Sequence, residues 1–115
     1  MPHYADAMAN LPALSHLQFL ALGVLLARDE PGRVIREAVA EYGVGRTGAA
    51  FYQLMSRLER DGMVDGWYEP VLVGDQAVRE RRYRITPAGA RAWRETRAFY
   101  EKVAAAAAQG RWSRA

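Results

Sequence analysis

The stretch from Arg46 to Val64, RTGAAFYQLMSRLERDGMV, constrains the chain more than any other. Phe51, Leu54, Met55 and Leu58 recur at steps of three and four, the period of one buried helix face. Ala49, Ala50, Tyr52, Gln53, Ser56, Arg57 and Arg60 fall on the other face, with Glu59 as the only acid before Asp61. A helix entering a DNA major groove needs such a surface: slim near its N-terminus, rich in donors and cationic at its edges. The same spacing also fits an ordinary amphipathic surface helix, so the flanking chain has to decide. Asp61-Gly62 stops the helix, and Met63-Val64 opens an extended segment.

A chain of 115 residues is expected to form one domain, with a core small enough to gain from dimerisation. It has no cysteine, which rules out disulfides, thiolate metal sites and a cysteine nucleophile. The longest apolar run, Phe19 to Ala27, is far short of the roughly 20 residues that cross a bilayer. MPHYADAMANLPAL has no positively charged region ahead of an apolar one, so no signal peptide is read and a cytoplasmic location is expected. The net charge of +3 is unevenly spread: residues 1–45 and 46–78 each carry −2, residues 79–97 carry +5, and residues 98–115 carry +2. A local basic patch points to a polyanionic partner better than total charge does.

Taken in order, residues 1–14 read as a loose tail. Ser15 is placed to cap a helix from His16 to about Arg28 whose apolar residues cannot share one stripe. Such a helix needs cover on more than one side, and a partner subunit is the expected second cover. Asp29-Glu30-Pro31-Gly32 should turn, with Pro31 starting a second helix that buries Val34, Ile35, Ala38 and Val39 and runs to about Tyr42. Gly43-Val44-Gly45 is a short link into the third helix, which Thr47 should cap. Met63 to Val73 and Val78 to Ile85 form the arms of a hairpin around Gly74-Asp75-Gln76, with Pro70 at an edge. Tyr83 and Ile85 should pack on the helices. Thr86-Pro87 opens a last helix reaching Ala108, on which Trp93, Thr96, Tyr100, Val103 and Ala107 make one stripe that Phe99 widens.

The predicted fold is mainly α with a small β-hairpin: a winged helix-turn-helix over residues 15–86 and a long C-terminal helix over 87–108, followed by a short tail over 109–115. Two segments, Phe51-Tyr52-Gln53-Leu54-Met55-Ser56-Arg57-Leu58-Glu59-Arg60-Asp61-Gly62-Met63-Val64 and Arg82-Tyr83-Arg84-Ile85-Thr86-Pro87-Ala88-Gly89, carry a resemblance to the PadR family of bacterial transcriptional regulators. The first resembles the family's tyrosine-bearing recognition helix, and the second its junction between wing and last helix. The resemblance covers Leu14 to about Val103 and implies a homodimer binding a palindromic operator in double-stranded DNA, usually as a repressor. The length is that of the short form, with one dimerisation helix. The chain departs from the family at Pro31-Gly32-Arg33-Val34, where His-Gly-Tyr is often found, and at the wing tip, Leu72-Val73-Gly74-Asp75-Gln76.

The candidate DNA contacts are Arg46, Thr47, Gly48, Ala49, Tyr52, Gln53 and Arg57 on the helix, and Arg79, Arg81 and Arg82 on the wing. Gln pairs in bidentate fashion with adenine, and Arg with guanine or phosphate. Tyr52 could equally pack, Arg57 and Arg60 could pair with Glu59 and Asp61, and the wing cations could pair with Glu80. Arg91, Arg94 and Arg97 read as the outer face of the last helix. Leu17, Leu20, Val24, Trp93, Phe99, Tyr100 and Val103 are the candidate dimer residues. Trp93 and Phe99 also suggest a site for a flat, aromatic effector that would relieve DNA binding, a property implied by the family resemblance; plain core is the simpler reading. His3 and His16 lack a metal-ligand pattern, so no metal or cofactor is expected. No pairing of nucleophile with base and no phosphate-binding Gly motif is present, so the chain is not read as an enzyme. The alternative from another class is a protein-docking module that uses the apolar first helix as its contact face.

Overall fold

Ser15 starts the first helix with a reciprocal cap. Its hydroxyl accepts from the Gln18 N–H at 3.1 Å, while the Gln18 side chain accepts from the Ser15 N–H at 3.0 Å. In the computed structural model, which describes residues 13–42 and 47–113, helix α1 spans His16–Val24. It ends four residues before the expected Arg28. The Leu25 N–H bonds back to the Leu22 carbonyl at 3.0 Å, tightening the last turn, and the Leu25 side chain turns into the core. Ala21 and Leu22 are fully buried with it. Val24, a candidate dimer residue, is half-buried and packs in part against the core.

A strand β1 of two residues, Glu30–Pro31, precedes helix α2, Gly32–Glu41. Pro31 is therefore the N-cap of α2 rather than its first helical residue. β1 was not expected, because two residues are too few to show an alternation. Ile35 and Val39 are buried, while Val34 and Ala38 are only half-buried. Helix α3, Gly48–Arg60, is capped by Thr47, whose hydroxyl accepts from the Ala50 N–H at 3.2 Å. Phe51, Met55 and Leu58 are its buried face, and Leu54 is half-buried. Gly62 closes α3 with φ of 72°, and the Gly62 and Met63 N–H groups return to the Glu59 and Leu58 carbonyls at 3.0 and 2.9 Å. This is the Schellman arrangement that a left-handed glycine permits.

The wing is longer and more regular than expected. β2, Val64–Val73, pairs antiparallel with β3, Gln76–Ile85, from Val64 opposite Ile85 to Val73 opposite Gln76. Gln76 thus belongs to the strand and the turn is two residues, with Gly74 at φ of 63° in the position where such a turn needs glycine. The sheet order is β1-β3-β2, so β2, which contains Pro70, lies at an edge, where a missing N–H is tolerated.

Helix α4, Pro87–Ala108, has the expected bounds. Thr86 accepts from the Gly89 N–H at 3.0 Å and donates to the Gly62 carbonyl at 2.7 Å, so one hydroxyl caps α4 and ties it to the end of α3. Gly89 is buried because α4 crosses the Met63 backbone there, and a Cβ at Gly89 would run into the Met63 carbonyl. Neither backbone can yield without moving α4. Gly89→Ala should therefore lower the unfolding free energy by about 2 kcal/mol, as read by urea denaturation. At the other end Gln109 to Trp112, assigned to a tail, continue as turns: the Arg111 N–H bonds the Ala106 carbonyl at 3.1 Å and the Ser113 N–H the Gly110 carbonyl at 3.0 Å.

Candidate nucleic-acid interface

The buried stripe of α3 leaves its opposite face open. Ala49, Tyr52, Gln53, Ser56, Arg57 and Arg60 line one continuous surface depression on that helix. Tyr52 is 58% exposed, which separates it from the packing role open to it in the sequence, although its ring still meets Phe51 edge-on at 6.0 Å. Arg60 is held by Asp61 at 3.4 Å, a contact between exposed groups that contributes little. Arg57 has no carboxylate partner among the described residues. Thr47 is exposed at the helix start, with Gly48 and Ala49 making the slim first turn. Arg46 and the Gly43-Val44-Gly45 link lie outside the described residues. Arg36 of α2 was not singled out in the sequence, yet its guanidinium lies beside Gly48, 3.6 Å from where a Cβ would stand. Its distance in sequence from α3 hid it.

The wing cations are less alike than their spacing suggests. Arg79 is exposed, lies 4.7 Å from the Tyr68 ring centroid and has no carboxylate partner among the described residues. Arg81 is held by Glu59 of α3 and lies between the Tyr68 and Tyr83 rings, at 4.9 and 5.7 Å. Arg82 reaches Glu69 at 3.4 Å, and Arg84 reaches Asp65 at 3.6 Å. Glu80, the local partner in the alternative reading of these cations, pairs with Arg33 of α2 at 2.9 Å. Much of the basic cluster read in the sequence is therefore matched by acids of the neighbouring strand and helix. The looser, more exposed pairs are cheap to exchange for phosphate; the Glu59–Arg81 pair is not.

Burial pushes the Tyr83 phenol above its ordinary range, and Arg81 beside it pulls part-way back. Burial works to lower the Arg81 pKa, but the neighbouring Tyr83 and the Glu59 charge outweigh it, and the guanidinium is held above its ordinary value. Arg81 lies midway along the wing, opposite Tyr68.

The residues expected to form a dimer surface divide. Trp93 stacks on Phe19 with centroids 5.0 Å apart and planes 2° from parallel, and its Nε1–H donates to the Phe19 carbonyl at 3.1 Å. It pins α4 to α1 within one chain. Thr96 is buried, its hydroxyl donating to the Ala92 carbonyl at 2.8 Å. Tyr100 and Val103 are exposed, Phe99 is half-buried against Tyr100, and Leu17 and Leu20 are half-buried on α1. A largely apolar groove of about 410 Å³ runs between α1 and α4, lined by Leu14, Phe19, Thr96, Tyr100 and Ala104 among others. Neither Trp93 nor Phe99, the residues expected to meet an effector, lines it. Among the described residues no group of His, Asp or Glu is placed to hold a metal ion, and no helix is long and apolar enough to cross a membrane.

No protein-family model matches the chain, and no curated protein matches its sequence. Solved structures do match it. A PadR family transcription regulator from Clostridium difficile superposes with a TM-score of 0.68 at 18% identity, covering 83% of this chain and 97% of that one. The chain has the PadR-like winged-helix fold. A PadR family transcriptional regulator from Eggerthella lenta matches over 96% of this chain and 97% of that chain, with a TM-score of 0.59 and 23% identity. Bacillus subtilis PadR, solved in complex with operator DNA, matches over 70% of this chain and 46% of its own, with a TM-score of 0.57 and 17% identity. In this fold α3 leads through Gly62 into the β2-β3 hairpin, which is the wing.

Proposed function

We propose that the chain is a DNA-binding transcriptional regulator that sets α3 in a major groove and the β2-β3 wing beside it. The observation that carries this reading is the open face of α3, where a phenol, an amide, a hydroxyl and two guanidinium groups form one surface while the core is satisfied from the other side. Base edges in the major groove are read by such groups. The likeness to a PadR protein solved on operator DNA supports the same reading. Tyr52 and Gln53 are assigned to base edges, Thr47 and the small residues Gly48 and Ala49 to the close approach of the first turn, and Arg46 and Arg57 to bases or flanking phosphates. The wing cations Arg79 and Arg82 are assigned to phosphates.

The regulator acts as a homodimer on a palindromic site, as a repressor, with recognition helices about 34 Å apart on one face of the duplex. Support comes from α4: Tyr100 and Val103 remain exposed on a helix whose N-terminal half already holds the monomer together. A small aromatic effector is a second reading, favoured by the apolar α1–α4 groove and placed there against Phe19 and Tyr100. A location in the cytoplasm follows from action on DNA. Neither an enzymatic step nor a cofactor is assigned to the chain.

Enrichment of bound duplexes from a random pool tests the proposal. An enriched motif with two inverted half-sites one helical turn apart is the expected result. Failure to enrich any sequence would count against a regulator and favour a protein-docking module.

A further inference from the structure

The acid Glu59 sits in the last turn of α3, where the helix dipole disfavours a negative charge. Its carboxylate accepts from Nη2 of Arg81, and the two side chains are only 28% and 25% exposed. The bond joins positions 22 residues apart and is the described ion pair between the recognition helix and the wing. The surrounding residues are shaped to it. Gly66 of β2 stands opposite Tyr83, and a Cβ there would collide with the Glu59 carboxylate and press on the Arg81 guanidinium. Tyr68, opposite Arg81 in the ladder, offers its ring at 4.9 Å, and Tyr83 offers a second ring at 5.7 Å. Moving Arg81 onto a phosphate would break a charge-assisted bond and leave two aromatic faces, whereas Arg79 shares the Tyr68 ring but is exposed.

We propose that Glu59 withholds Arg81 from DNA and uses it to fix the wing against the recognition helix, leaving Arg79, with Arg82, as the wing's phosphate-binding cations. The inference rests on the DNA-binding reading above and assigns Glu59 and Arg81 as positioning residues within it. Fixing the wing angle lets base contacts by α3 and phosphate contacts by the wing form together. Withholding one guanidinium also limits sequence-independent attraction, which grows with each phosphate neutralised.

The test measures affinity for an enriched duplex and for a random duplex across a salt series, using the full chain and four variants. Arg79→Ala should flatten the plot of log affinity against log salt by about 0.9 on both duplexes, the share of one phosphate contact. Arg81→Ala, and Arg81→Gln should the alanine variant fold poorly, should leave that slope unchanged while weakening binding to the enriched duplex. Glu59→Ala should steepen the slope by about 0.9, because Arg81 is freed to reach a phosphate. It should also tighten random-duplex binding several-fold and reduce the ratio of specific to random affinity. A purely structural role for Glu59 would not strengthen random binding. Loss of a full phosphate's slope in Arg81→Ala or Arg81→Gln, with no steepening in Glu59→Ala, overturns the assignment. A flat salt dependence in the unaltered protein overturns the DNA-binding reading itself and is told apart by that control.

Discussion

Trp93→Ala should lower the unfolding free energy of the chain by about 3 kcal/mol, as read from urea denaturation. A large aromatic side chain truncated in a core costs about 3–5 kcal/mol, and the half-buried position of Trp93 argues for the lower end. Three contacts are lost together: the parallel stack on Phe19, the hydrogen bond to the Phe19 carbonyl, and the close approach to Gly23, where a Cβ would stand 3.1 Å from Nε1. Trp93→Phe keeps a stacked ring and gives up the hydrogen bond, so it should cost about 1 kcal/mol on that account. The comparison separates two roles that the sequence left together. A residue that serves only the partner interface would lose oligomerisation without loss of monomer stability, and that outcome would contradict the packing described here.

Gln53→Ala should reduce affinity for the enriched duplex about tenfold to a hundredfold and leave random-duplex affinity unchanged. The range corresponds to about 1–3 kcal/mol for one bidentate base contact. Gln53 is exposed on α3, uncharged, and flanked by Tyr52 and Arg57 on the open face. A phosphate-binding group would weaken both duplexes together, so equal losses would move Gln53 from the base edge to the backbone. Competition binding with the two duplexes at one salt concentration is sufficient to decide.

Helix α3 was legible because two signals agreed on it. The three-four spacing of Phe51, Met55 and Leu58 marked its buried face, and Thr47 and Gly62 marked its ends; all of these stand as read. The last helix was legible for the same reason, since Thr86-Pro87 fixes its start. The Thr-Pro-x-Gly segment also proves to have a mechanical sense, as Thr86 holds Gly62 and Gly89 admits the Met63 carbonyl. What escaped the sequence was tertiary. β1 is two residues long and exists because β3 presents a free edge to Glu30 and Pro31. α1 ends early because Leu25 is drawn into the core, which no local stop residue announces.

Charge was the least transferable part of the sequence reading. The run from Arg79 to Arg84 reads as one basic patch, but strand pairing sets Asp65 opposite Arg84 and Tyr68 opposite Arg81, and brings Glu69 within reach of Arg82. Glu59 arrives from a different element altogether. A count of arginines measures the charge on the strand; the register decides how much of it remains for a partner. The apolar stripe of α4 follows the same logic, since Trp93 found its partner Phe19 within the chain and left Tyr100 and Val103 outward.

The open face of α3 is proposed to read DNA sequence. The most direct test is a salt titration of the purified chain on an enriched duplex and on a random duplex of equal length. The expected result is a preference of at least about a thousandfold for the enriched duplex, together with affinity that falls steeply and linearly in log–log form as salt rises. Equal, weak binding to both duplexes with little response to salt would contradict it.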